Sequence, residues 1–160
     1  MTAGLAGDAF VLATLGCPVI MIERSAILSC LIENAIERAE LSVDFNTILE
    51  HGFSLIHDDA NDYMTRQIEP ENRPPDVIYI DPMYPERKKS ALVKKDMQIL
   101  KRLHGEDDNA GTLLNNALAL AKKRVVVKRP IQAEVVNEKI PNTCIKSKKT
   151  RYDIYTIEKM

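Results

Sequence analysis

The residues with the most distinctive chemistry are Asp81-Pro82-Met83-Tyr84-Pro85, placed between the apolar run Val77-Ile78-Tyr79-Ile80 and the cationic run Arg87-Lys88-Lys89. Each proline fixes its own φ and restricts the residue before it, so the segment reads as a rigid polar corner at the end of a buried strand. A carboxylate, a backbone carbonyl and an aromatic ring in such a corner suit a flat, amine-bearing ring. The lone pair of an exocyclic aromatic amine is delocalised into its ring, which makes it a poor nucleophile. Asp81 and the Pro82 carbonyl, by accepting its two N–H bonds, would orient it, while Tyr84 would stack on the base. Methyl transfer to such a nitrogen needs positioning more than acid–base power. The plain structural alternative is that Asp81 caps a turn and Tyr84 packs in the core.

Further marked residues fall at the ends of other apolar runs. Gly4 to Asp8 form a small-residue loop entering a helix, a place where backbone N–H groups can approach a ligand. Glu23 and Arg24 follow the strand Val19 to Ile22, and Asp59 with Ala60 follows Phe53 to His57. In open parallel sheets ligands lie outside the carboxyl ends of the strands. The order of these groups matches a nucleoside: the glycine loop near its amino-acid portion, Glu23 on the ribose, Asp59 and the Ala60 backbone at adenine. Taken singly, a loop glycine is often only a tight turn and a strand-end carboxylate only a helix cap.

The elements that must position these groups alternate. A helix is expected over residues 9–15, stopped by Gly16 and Pro18, then the strand Val19 to Ile22. Ser25 caps a helix carrying Leu28, Leu31, Ile32, Ala35, Ile36 and Ala39 at helical spacing. The strand Phe53 to His57, a short helix from Asn61 to about Ile68 and the strand Asp76 to Ile80 follow. Beyond the corner, residues 90–103 form an amphipathic helix with a basic face, and Thr112 is placed to cap a helix over Leu113 to Lys123. Val125 to Val127 is a strand ending in Lys128-Arg129-Pro130. Thr143 to Ser147 and Tyr152 to Ile157 form an antiparallel hairpin at the sheet edge, with Lys148, Lys149 and Arg151 at a solvated turn. His57 is expected to be a hydrogen-bonded core residue. The alternation predicts one α/β domain over residues 1–160 with a mainly parallel sheet covered on both faces. A strand normally precedes a loop like Gly4 to Asp8, and no sequence here supplies it, so a missing first strand is expected.

The formal net charge of −1 conceals an uneven distribution. Residues 1–85 hold 14 acidic and 4 basic side chains, a sum of −10, and residues 86–160 hold 9 and 18, a sum of +9. A basic half suits a polyanion, with Arg87, Lys88, Lys89, Lys94, Lys95, Lys128 and Arg129 as candidate phosphate contacts. Ordinary solvated surfaces explain such an imbalance equally well. The apolar runs are all shorter than a membrane span, and a cytoplasmic protein is expected. Cys17, Cys30 and Cys144 lack Cys-x-x-Cys spacing and form no ligand pattern with His51, His57 and His104, which predicts reduced thiols and no structural metal.

The segments Thr2-Ala3-Gly4-Leu5 with Asp8 to Ala13, Glu23-Arg24, Asp81 to Pro85, Lys89 to Lys95, Arg124 to Pro130 and Arg151 to Tyr155 together resemble the J-type small-subunit ribosomal RNA guanine-N2 methyltransferases of bacteria. The resemblance spans nearly the whole chain. It implies a class I, Rossmann-like fold using S-adenosyl-L-methionine and acting on one guanine of 16S rRNA or the small ribosomal subunit. Carried across by motif, the cofactor contacts fall on Gly7, Asp8, Glu23, Arg24, Asp59, Ala60 and Asp81. Members of that family usually read Gly-Leu-Gly-x-Asp in the first loop, where this chain has Gly4-Leu5-Ala6-Gly7-Asp8. They also carry a substantial segment ahead of that loop. A nicotinamide-dependent oxidoreductase is a rival reading, because a glycine loop followed by Glu23 also suits a dinucleotide, though it leaves the Asp81 corner idle. A non-catalytic RNA-binding or ribosome-assembly module is another.

Overall fold

The computed structural model describes residues 3–68, 73–82 and 110–157. They divide into two compact units, residues 3–59 and residues 60–82 with 110–157.

In the first unit, helix α1 (Gly7–Thr14) leads to strand β1 (Val19–Glu23). Helix α2 (Ala26–Glu40) follows, then the short helix α3 (Asn46–Glu50) and strand β2 (Phe53–His57). Strands β1 and β2 pair in parallel, from Val19 opposite Phe53 to Glu23 opposite His57. Helix α2 starts where Ser25 predicts, because its Oγ accepts the otherwise orphaned N–H of Leu28 at 3.4 Å. Its buried residues Leu28 and Ile32 join Ala13, Met21 and Ile22 in the core of this unit.

In the second unit, helix α4 (Ala60–Gln67), strand β3 (Val77–Ile80), helix α5 (Ala110–Leu120) and strands β4 (Arg124–Pro130), β5 (Thr143–Lys146) and β6 (Thr150–Thr156) form a four-stranded sheet with its helices. The strand order is β3-β4-β6-β5. β3 and β4 are parallel, whereas β4–β6 and β6–β5 are antiparallel, so the expected C-terminal hairpin stands at the sheet edge. Strand β4 alternates strictly, burying Val125, Val127 and Arg129. Ile78, Ile80, Leu113, Leu114, Ala117, Leu120, Met64 and Tyr155 complete the core.

The α/β architecture with mainly parallel core strands and antiparallel C-terminal strands is thus present. Among the described residues the strands form a two-stranded and a four-stranded sheet, with β1 paired only to β2 and β3 only to β4. Several local expectations need correction. Thr112 lies inside α5, which begins at Ala110, so it does not cap the helix. That helix ends at Leu120, short of Lys123, because the N–H groups of Lys122 and Lys123 donate to the carbonyls of Pro75 and Asp76. Arg151 belongs to β6, and the sequence showed no sign of α3 or of the 3-10 turns Val43–Phe45 and Val136–Glu138. The helix expected over residues 90–103 lies outside the described residues. No helix among the described residues is long and apolar enough to cross a membrane.

Candidate active site

The glycine loop turns tightly before α1. Gly4 has φ 57°, and the N–H of Ala6 donates to the Ala3 carbonyl at 2.8 Å. Ala6 also has φ 57°, in the left-handed region that glycine enters at little cost. It stands at the second glycine of the Gly-Leu-Gly-x-Asp pattern. The open space around Gly4 and Gly7 leaves the backbone approachable at both, and Asp8 lies in the first turn of α1.

Glu23 ties this loop to the end of β1. Its Oε2 accepts the Gly4 N–H at 3.3 Å and its Oε1 accepts the Ser25 N–H at 2.8 Å. The Ser29 hydroxyl donates to the Glu23 carbonyl at 3.2 Å, and the Asp58 N–H donates to the same carbonyl at 3.0 Å. Glu23 is fully buried, so its carboxylate first serves to hold two backbone segments together. An approachable glycine backbone beside an acidic strand end fits the amino-acid and ribose portions of a nucleoside cofactor. Arg24 is half-buried, and its carbonyl bonds the His57 ring at 3.2 Å. His57 is exposed at the strand end, and so is not the core residue expected. Asp59 closes the unit, its N–H donating to Asp58 Oδ1 at 2.9 Å. A pocket of about 580 Å³ lies against the loop, lined by Leu5, Ala6, Gly7, Phe10, Ile32 and Phe45 among others. Its lining is mainly apolar, with Arg38 its charged side chain. Sequence reasoning missed it, because Phe10 and Phe45 meet, with ring centroids 5.7 Å apart, only through the fold.

In the second unit, Ala60 opens α4, and Asp81 and buried Pro82 follow β3 directly. The Asp81 side chain is 39% exposed, and its Oδ2 accepts from Lys128 Nζ at 2.9 Å. Lys128, an expected phosphate contact, is therefore held at the corner. Arg129 is only 6% exposed, which keeps its guanidinium off the open surface that a phosphate contact requires. Beside it, Arg151 donates to Asp153 from Nε at 2.9 Å and from Nη2 at 3.1 Å, a forked pair on a fully buried carboxylate. Arg151 is thus part of a polar network and not of a solvated turn. The remaining expected site residues, Tyr84, Arg87, Lys88, Lys89, Lys94 and Lys95, lie outside the described residues. Among the described residues no group of His, Cys, Asp and Glu has the arrangement of a metal site, and the three cysteines are free.

Comparison with known proteins shows the family of the chain. A family model described as "Putative SAM-dependent methyltransferase" matches residues 1–157. A ribosomal RNA small subunit methyltransferase J from Pseudoalteromonas atlantica is 49% identical over 98% of the chain. One from Hydrogenovibrio crunogenus is 50% identical over 98% of the chain. The chain spans only 61% and 56% of the lengths of these two relatives. The crystal structure of a SAM-dependent methyltransferase from Neisseria gonorrhoeae superposes with a TM-score of 0.76 at 35% identity, covering 97% of this chain and 59% of that one.

Proposed function

The chain belongs to this family of SAM-dependent methyltransferases, and within it we propose that the protein methylates the exocyclic N2 of a guanine in 16S rRNA. The observation that carries the proposal is Asp81-Pro82 at the carboxyl end of β3, a partly exposed carboxylate followed by a buried proline. The names of the relatives, rRNA small subunit methyltransferases, support the class of substrate.

Gly4, Gly7, Asp8, Glu23, Arg24, Asp59, Ala60 and Asp81 are the residues that would hold S-adenosyl-L-methionine, with Glu23 toward ribose and Asp59 and Ala60 toward adenine. When bound, the cofactor supplies an electrophilic methyl group on a sulfonium that leaves as a neutral thioether. The protein's task is to present the amine. Asp81 accepts one N–H of the guanine amine and the Pro82 carbonyl accepts the other, which favours a tetrahedral nitrogen with its lone pair directed at the methyl. The charge that develops on N2 is met by the Asp81 carboxylate, and the surplus proton passes to water. Tyr84 would stack on the base, and Arg87, Lys88, Lys89, Lys94 and Lys95 would contact RNA phosphates. A cytoplasmic location goes with this proposed action on ribosomal RNA.

Two measurements test this reading. Calorimetry should show S-adenosylhomocysteine binding and no binding of NAD, and the reverse would favour the oxidoreductase. Mass spectrometry of small subunits treated with protein and cofactor should find one N2-methylguanine; RNA binding without methylation would favour an assembly module.

A further inference from the structure

We propose that Lys128 is a positioning residue for the Asp81 carboxylate and not a phosphate contact of the RNA substrate. The proposal rests on the reading of Asp81 as the amine-orienting group. The last register pair of the parallel strands β3 and β4 is Ile80 opposite Val127, so Asp81 and Lys128 are the next residues along adjacent chains. Pleating alternates the faces. Ile78, Ile80, Val125 and Val127 are buried on one, which puts Asp81 and Lys128 together on the other.

The sheet register therefore delivers the ammonium to the carboxylate, with Nζ 2.9 Å from Oδ2. A pair this open contributes little to stability, between about 0 and 1 kcal/mol, so its consequence lies elsewhere. An ammonium fixed to one oxygen sets the rotation of the carboxylate and hence where the carboxylate can accept an amine N–H. Lys128 is 27% exposed on its side chain, unlike the extended, solvated lysine that an RNA backbone neutralises.

The test compares Lys128→Met and Lys128→Arg, in the wild-type and Asp81→Asn backgrounds of the intact protein, with small subunits as substrate. Lys128→Met should lower kcat about 10- to 100-fold, the scale of a misplaced reacting group, with KM for cofactor unchanged. Lys128→Arg should recover most of that loss, and equal melting temperatures would exclude misfolding as its cause. In the Asp81→Asn background Lys128→Met should change kcat less than 2-fold, because the carboxylate that the ammonium positions is already gone. The salt dependence of RNA binding should keep its slope. Unchanged kcat, with a log–log salt slope shallower by about 0.7 to 0.9, would overturn the proposal and make Lys128 a phosphate contact. An equal kcat loss in both backgrounds would also overturn it. If Asp81→Asn alone leaves kcat intact, the amine-orienting reading fails, a result distinct from either of these and one that removes this proposal with it.

Discussion

Ala6 holds a backbone conformation that glycine adopts at little cost, and Glu23 holds Ala6's loop in place. A left-handed alanine is strained by about 1–2 kcal/mol, partly offset because glycine gains more freedom on unfolding. Ala6→Gly should raise stability by about 0.5–1 kcal/mol in urea titration. Glu23→Gln exchanges one carboxylate oxygen for an NH2 group facing a backbone N–H. Losing a charge-assisted bond in a fully buried place should cost about 2 kcal/mol, read by the same titration. The position of Glu23 at a strand end was legible in the sequence from the apolar run before it. Its burial and its bonds to Gly4 and Ser25 were not, because they depend on how the loop folds back. The pairing of Lys128 with Asp81 was not legible for a similar reason: a lysine's partner is set by strand register, which residue types alone do not reveal.

At the scale of elements, β4 was legible from the apolar run Val125 to Val127, the hairpin strands from the β-like runs Thr143 to Ser147 and Tyr152 to Ile157, and the N-terminus of α2 from Ser25. The polar network they carry was not. Arg151 and Asp153 share one face of β6, and the antiparallel return of β6 sets Val127 opposite Asp153 and Arg129 opposite Arg151. Arg151→Ala would remove the forked cationic partner of the buried Asp153 carboxylate and should destabilise the protein by about 3 kcal/mol in denaturant unfolding. Burial, with the Asp153 charge adding to it, raises the pKa of the Tyr155 phenol, whose hydroxyl donates to the Lys139 carbonyl at 3.1 Å. Burial and a hydrogen bond to Asp153 raise that of the Cys144 thiol. Both folded-state values lie above the ordinary 10.0 and 9.0, so the native state retains these protons better than the unfolded chain. Their stabilisation is complete below pH 9 and is lost as pH rises past 9 for the thiol and past 10 for the phenol, through the raised folded values. Thermal melts from pH 8 to 11.5 should show this alkaline decline, and Tyr155→Phe with Cys144→Ala should flatten it.

Over the whole molecule, the basic second half suited a polyanion, and ordinary solvated surfaces explained the charge imbalance equally well. Both relatives named for the rRNA small subunit are longer than this chain, which spans 61% and 56% of their lengths. Family and fold class were legible because their motifs sit at strand ends that apolar runs define. The separation of the strands into two sheets was not, since strand pairing is a property of the assembled chain. The most direct test of the central claim is methyl transfer from labelled S-adenosyl-L-methionine to small ribosomal subunits, comparing the intact protein with its Asp81→Ala variant at saturating cofactor. The account predicts label on N2 of a single guanine with the intact protein and a loss of about 100-fold or more in kcat with Asp81→Ala. Undiminished methylation by the variant would contradict it.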